Sequence, residues 1–163
     1  MQNRHLKALV FCFCLWGPVS PFALADPYAD AVPFKGTTLA GEAFSFEPGK
    51  LQRPALAVFW ASWCTECRYE FHELKKLHRE TRDRLDIYGV TVDKDIDKAI
   101  AISRRAGLPY VSVFDPNAKI AALYHVRATP TVVLIDRAGK VRHIGHRVDR
   151  DFHAVLQGIL GTL

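Results

Sequence analysis

The stretch Ala55-Leu56-Ala57-Val58-Phe59-Trp60-Ala61-Ser62-Trp63-Cys64-Thr65-Glu66-Cys67 decides how the rest of this chain is read. Ala55 to Trp60 is an unbroken apolar run, short enough for a buried strand. From Cys64 onward the period changes. Cys67, Phe71, Leu74, Leu77 and Thr81 recur every three or four residues with charges between them, the pattern of an amphipathic helix. The two cysteines therefore stand where a buried strand ends and a helix begins.

That placement carries chemistry. Positions i and i+3 meet across one helical turn, so a disulfide can close within it. Cys64 sits where helix N–H groups are unpaired and the helix dipole is positive. Both effects stabilise a thiolate, the reactive form of cysteine. Cys67, one turn deeper, is expected to be more buried and to hold its proton more firmly. The asymmetry assigns attack to Cys64 and resolution to Cys67. A purely structural disulfide over so short a loop adds little stability. Zinc needs four ligands, and His72 and His78 lie at no chelating spacing from the cysteines. The spacing favours redox chemistry.

Upstream, Arg4 and Lys7 precede an apolar run from Ala8 to Trp16, then Gly17, Pro18 and Pro21, then Ala23-Leu24-Ala25. This is the order of a secretory signal, with cleavage expected before Asp26. A membrane anchor wants about 20 apolar residues, and glycine and proline interrupt this run. Cleavage would remove Cys12 and Cys14 and leave Cys64 and Cys67 in a compartment that permits disulfides, here the periplasm. Residues 26–33 are expected to form a flexible lead-in, and 34–163 the domain.

The 163 residues are 49% hydrophobic and 24% charged, enough for one domain with a core and unlike a disordered or disulfide-dense chain. The net charge of +5 has no long basic run behind it, so nucleic-acid binding is not expected. Downstream, the patterns predict a hairpin over 34–46, strands at 55–60, 85–92, 110–114, 131–135 and 141–145, and helices from Cys64, over 95–106 and from Asp149. Gly107 is the expected stop of the second helix. Asp115-Pro116 is read as an N-cap and first helical residue of a short helix running to Tyr124. The early βαβ unit demands a parallel pair, and the late hairpin adds antiparallel strands. The expected fold class is α/β, a mixed sheet with helices on both faces.

At the cysteines the chain resembles a family. Phe59 to Cys67, Arg68-Tyr69-Glu70, Thr129-Pro130-Thr131 and Leu134-Ile135-Asp136-Arg137-Ala138-Gly139-Lys140 resemble the TlpA-like branch of thioredoxin-fold proteins, over about residues 34–160. The resemblance implies a thioredoxin fold with an N-terminal β-hairpin extension, and thiol–disulfide exchange as the activity. It implies that Pro130 is a cis-proline facing the cysteines and that Thr129 offers backbone groups to a substrate strand. Trp63 would shield or contact the disulfide. Glu70 would tune the cysteines and move protons.

The chain also departs from its relatives. Val58 stands where thioredoxins carry a buried Asp, which leaves Glu70 as the expected acid of the site. Thr65-Glu66 replaces the usual proline-containing pair. A carboxylate beside Cys64 disfavours the thiolate and makes the reduced form a better reductant. The Trp-Ala-Ser-Trp ahead of Cys64 does not supply the proline and threonine of a peroxiredoxin-type site.

No cofactor is expected beyond the Cys64–Cys67 disulfide, and no metal. His125, His143 and His146 read as scattered surface residues. The implied partners are thiols or disulfides of exported proteins, apocytochrome c among them, and a membrane thiol transporter as electron donor. The protein is expected to be a monomer. The alternatives are a disulfide-donating oxidant and a copper-binding metallochaperone.

Overall fold

The structure is a computed structural model that describes residues 29–81 and 83–161. The signal sequence expected over 1–25 lies outside the described residues. Seven strands form one sheet: β1 (Phe34–Thr38), β2 (Ala43–Phe46), β3 (Ala55–Trp60), β4 (Asp86–Thr91), β5 (Ser112–Phe114), β6 (Thr131–Ile135) and β7 (Val141–Gly145). Their order across the sheet is β2-β1-β5-β4-β3-β6-β7. The central β5-β4-β3 pairings are parallel, whereas β6 runs antiparallel to β3 and β7 antiparallel to β6. The N-terminal hairpin extends the same sheet, because β1 pairs antiparallel with β5. This is the thioredoxin-type mixed sheet with a hairpin extension that the sequence motifs implied.

Every residue of β3 is buried, as its continuous apolar run demands. Its side chains alternate between two cores. Leu56, Val58 and Trp60 meet helix α1 (Thr65–Thr81) and helix α4 (Arg150–Leu160) through Phe71, Leu74, Phe152 and Leu156. Helix α2 (Ile96–Ala106) adds Ala99 to that face. Ala55, Ala57 and Phe59 point the other way, to the hairpin's Phe34 and Phe46 and to Ile120 and Tyr124. Helices therefore cover both faces and hold β3 rigid, which fixes the point where the chain leaves the sheet for the cysteines.

The caps follow local chemistry. The Asp95 side chain accepts from the N–H groups of Asp97 and Lys98, and Gly107 closes α2 in the left-handed region at φ 61°. Asp149 accepts from the N–H of Phe152 to start α4.

Two expectations need correction. Asp115 is not the N-cap of the short helix, and Pro116 is not its first residue. The Ala118 N–H donates to the Asp115 carbonyl at 3.0 Å, so Asp115-Pro116-Asn117-Ala118 closes a turn first. The helix α3 begins later, at Lys119–Leu123. The Asp115 carboxylate reaches past that turn to accept from Lys119 N and Ala121 N at 2.8 and 2.9 Å. The lead-in is also not loose over 29–33. Ala31 is buried and its N–H donates to Gly139, while Val141 N–H donates to Ala29. The Val32 carbonyl accepts the Tyr124 hydroxyl at 2.6 Å. These partners lie about a hundred residues downstream, so no local pattern announces them.

Candidate active site

After Trp60 the chain turns out of the sheet, and the turn is held from below. Ser62 donates its N–H and hydroxyl to the Asp93 carboxylate at 2.8 and 2.6 Å. Asp93 also accepts the Thr91 hydroxyl at 2.6 Å. It is a buried acid that anchors the cysteine loop through its hydrogen bonds, in addition to the Glu70 expected to move protons. Val58, at the position of the thioredoxin aspartate, is packed in the core. Asp93 enters from the end of β4 on the neighbouring strand, and nothing in Thr91-Val92-Asp93 marks it on sequence grounds.

Cys64 immediately precedes α1 and is joined to Cys67 by a disulfide, with the Cα atoms 5.3 Å apart. The Cys67 N–H donates to the Cys64 Sγ at 3.1 Å. One of the free donors of the first helical turn is thus already aimed at the sulfur that would carry negative charge on reduction. Both cysteines are buried, Cys64 keeping 6% of its surface and Cys67 none, so what little access the pair offers lies at Cys64. Trp63, 68% exposed, projects beside it. Thr65 is the exposed first residue of the helix.

The Thr129–Pro130 peptide bond is cis. It places the Thr129 carbonyl oxygen 3.4 Å from the Cys64 Sγ, across 65 residues of chain. Beside this contact lies a groove of 620 Å³ lined by α1 residues Glu66, Glu70 and Glu73, by Thr129 and Pro130, and by the 146–149 loop. The loop holds both walls together. His146 donates its Nδ1–H to the Pro130 carbonyl at 2.8 Å, since that oxygen can only accept. The Val148 N–H donates to Glu70 at 2.5 Å, and Arg147 pairs with Glu66 at 3.5 Å. His146 is exposed, as expected of a surface histidine, and it also lines the groove. Its partner lies 16 residues back, beyond the reach of a spacing argument.

Glu70 is buried, and burial lifts its carboxyl above the ordinary 4.5 against the opposing pull of the Val148 N–H. The nearby Glu73 pushes the same way. Tyr110, in the core shared by both cysteines, is raised by burial and then by the Glu70 charge. The folded protein thus holds the Glu70 proton to higher pH than the unfolded chain does. The stability this provides is complete below about pH 4.5 and is lost as pH rises through the folded value. Glu70→Gln keeps an acceptor for Val148 and cannot ionise. Thermal unfolding of the variant should therefore lose less stability than wild type as the pH rises above about 4.5. Parallel curves for the two proteins would remove Glu70 from the site's ionisations.

Glu66 is exposed, and its pairing with Arg147 places a cation against the charge assigned to it as a tuning group. Among the described residues no group of three or more His, Cys, Asp or Glu side chains is placed to hold a metal ion, and no helix is long and apolar enough to cross a membrane.

Comparison with known proteins agrees with this geometry. Residues 28–144 match the AhpC/TSA family. The chain is 31% identical over 159 residues to the thiol:disulfide interchange protein DsbE homolog of Paracoccus denitrificans, covering 88% of this chain and 86% of that protein. It is 36% identical over 90 residues to the thiol:disulfide interchange protein DsbE of Allochromatium vinosum, a match over 55% of this chain that spans about half, 49%, of the relative. The fold matches a thiol:disulfide interchange protein of the thioredoxin family from Chlorobium tepidum with a TM-score of 0.71 at 22% identity, over 83% of this chain and 99% of that one. An oxidised cysteine pair at a helix start, in a chain so related along most of its length, belongs to the AhpC/TSA family and, within it, to the thioredoxin-like thiol–disulfide oxidoreductases.

Proposed function

We propose that this protein is exported to the periplasm by a cleaved signal over residues 1–25 and there reduces disulfides of other exported proteins, whether an apocytochrome c or another exported thiol protein. The observation that carries the reading is the asymmetry of the pair: the little surface the pair keeps belongs to Cys64, which lies against Thr129, and Cys67 keeps none. The Cys64 thiolate attacks a client disulfide. The client S–S bond breaks, one client sulfur leaves as thiolate, and a mixed disulfide forms. Cys67 then attacks Cys64 Sγ and releases the second client sulfur. Two electrons pass to the client and the Cys64–Cys67 disulfide closes. A dithiol donor must reopen it, and a membrane thiol transporter fits that requirement. Relatives named thiol:disulfide interchange protein DsbE support the exchange chemistry.

The direction of flow is set by potential. The reading expects a value near about −270 mV rather than the about −120 mV of a strong oxidant. Glu66→His removes a negative charge beside Cys64 and should make the protein more oxidising, because a stabilised thiolate favours the reduced form. The shift should be modest, on the order of 30 mV or less, since Arg147 already offsets part of the Glu66 charge. Equilibrium titration of both proteins against a redox buffer checks both statements. A wild-type potential near the oxidant value would reverse the proposed direction.

A further inference from the structure

Helix α1 carries opposite charges on its two flanks, and both flanks begin at the cysteines. Its buried stripe is Cys67, Phe71 and Leu74. On one side Glu66, Glu70 and Glu73 face the cis-proline groove. On the other lie Arg68, His72 and Lys75, at the same i, i+4, i+7 spacing. With Arg105 of α2 they line a second cleft of 320 Å³, whose apolar lining is Phe71, Ile102 and Ala106. Among the described residues no carboxylate lines this cleft, and none of its four basic residues forms an ion pair with a described residue.

The cleft is tied to the active site. Arg68 donates to the Ser62 carbonyl at 3.4 Å, two residues before Cys64. At the far end the Lys75 ammonium holds the Ala106 carbonyl at 2.8 Å, against the last turn of α2. Arg68, Lys75 and Arg105, cations without a described countercharge beside an apolar surface, project an uncancelled positive field. A protein that meets partners at a single sulfur must orient each of them, and complementary charge does so while speeding encounter.

We propose that the α1–α2 cleft is a docking surface for an acidic segment of a redox partner protein, with carboxylates toward Arg68, His72, Lys75 and Arg105 and an apolar side chain against Ile102 and Ala106. The proposal rests on the oxidoreductase reading above. A partner sulfur engaged at Cys64 lays its flanking residues over either flank of α1. The cleft selects the partner whose flank on that side is acidic.

The test uses two disulfide-bearing peptides of equal length, one flanked by glutamates and one by lysines, reacted with the reduced protein. His72→Glu/Arg105→Glu reverses the cleft at two exposed side chains that hold no other described group. At low salt the variant should react about tenfold more slowly with the glutamate peptide, and the difference should shrink near 1 M salt, where the Debye length is about 3 Å. Lys35→Gln/Lys119→Glu makes the same net charge change away from the cleft and should have a much smaller effect. Equal slowing in both variants, or none in either, would overturn the docking surface while leaving exchange intact. Loss of binding to vesicles of anionic phospholipid in the cleft variant, with peptide kinetics unchanged, would assign the cleft to a membrane and also overturn it. Exchange with neither peptide would instead overturn the oxidoreductase reading on which the proposal stands.

Discussion

Cys64→Ser is expected to abolish disulfide exchange, and Cys67→Ser to leave the protein trapped on its clients as a covalent complex. The first follows from exposure. With Cys67 fully buried, removing the Cys64 sulfur leaves none that a client can reach. The Cys67 N–H now aimed at Cys64 Sγ would meet a hydroxyl, which does not ionise at neutral pH. The second follows from order. Cys64 still attacks, but nothing within the turn can break the mixed disulfide. Without Cys64 the rate should fall by several orders of magnitude, to that of background thiols. Non-reducing electrophoresis of extracts from cells carrying each variant separates the two outcomes. Adducts that form through Cys67 in the Cys64→Ser protein would invert the roles assigned here.

The parts of this site that local chemistry dictates were legible before the structure. A six-residue apolar run is too short for a typical helix and reads as a covered strand, and α1 announces itself by spacing. Asp95, Gly107 and Asp149 act within their own turns, so their roles need no tertiary information. The cis bond at Pro130 followed from a resemblance, not from the residues alone. What stayed hidden is what distant segments decide. The 146–149 loop becomes a groove wall only because β7 returns beside β6 and brings Val148 to Glu70 across 78 residues. Asp115 kept its capping chemistry but lost its position, since the tight turn at Pro116 displaced the helix start. The charge stripes of α1 are plain in the sequence. That one faces the cis-proline and the other faces α2 is a fact of packing.

Asp93→Ala should destabilise the oxidised protein by about 3–5 kcal/mol, a large part of the roughly 5–15 kcal/mol of a typical domain. The carboxylate accepts from Ser62 N–H, Ser62 hydroxyl and Thr91 hydroxyl, and Asp93, Ser62 and Thr91 are all buried. Truncation leaves three donors without their partner where water is scarce, and each such group costs about 1–3 kcal/mol, partly relieved by rearrangement. Asp93→Asn retains one side-chain oxygen and should lose less. The effect reaches function because Ser62 belongs to the turn that carries Cys64 from β3 to α1. A loosened turn no longer fixes Cys64 Sγ against Thr129, so exchange by the folded variant should slow as well. Urea unfolding of both variants gives the energies, and exchange rates measured well below the midpoint give the positional effect. A loss under about 1 kcal/mol for Asp93→Ala would mean that the loop stands without its anchor. Full exchange activity in a strongly destabilised variant would mean instead that Asp93 serves the fold and has no part in placing the sulfur.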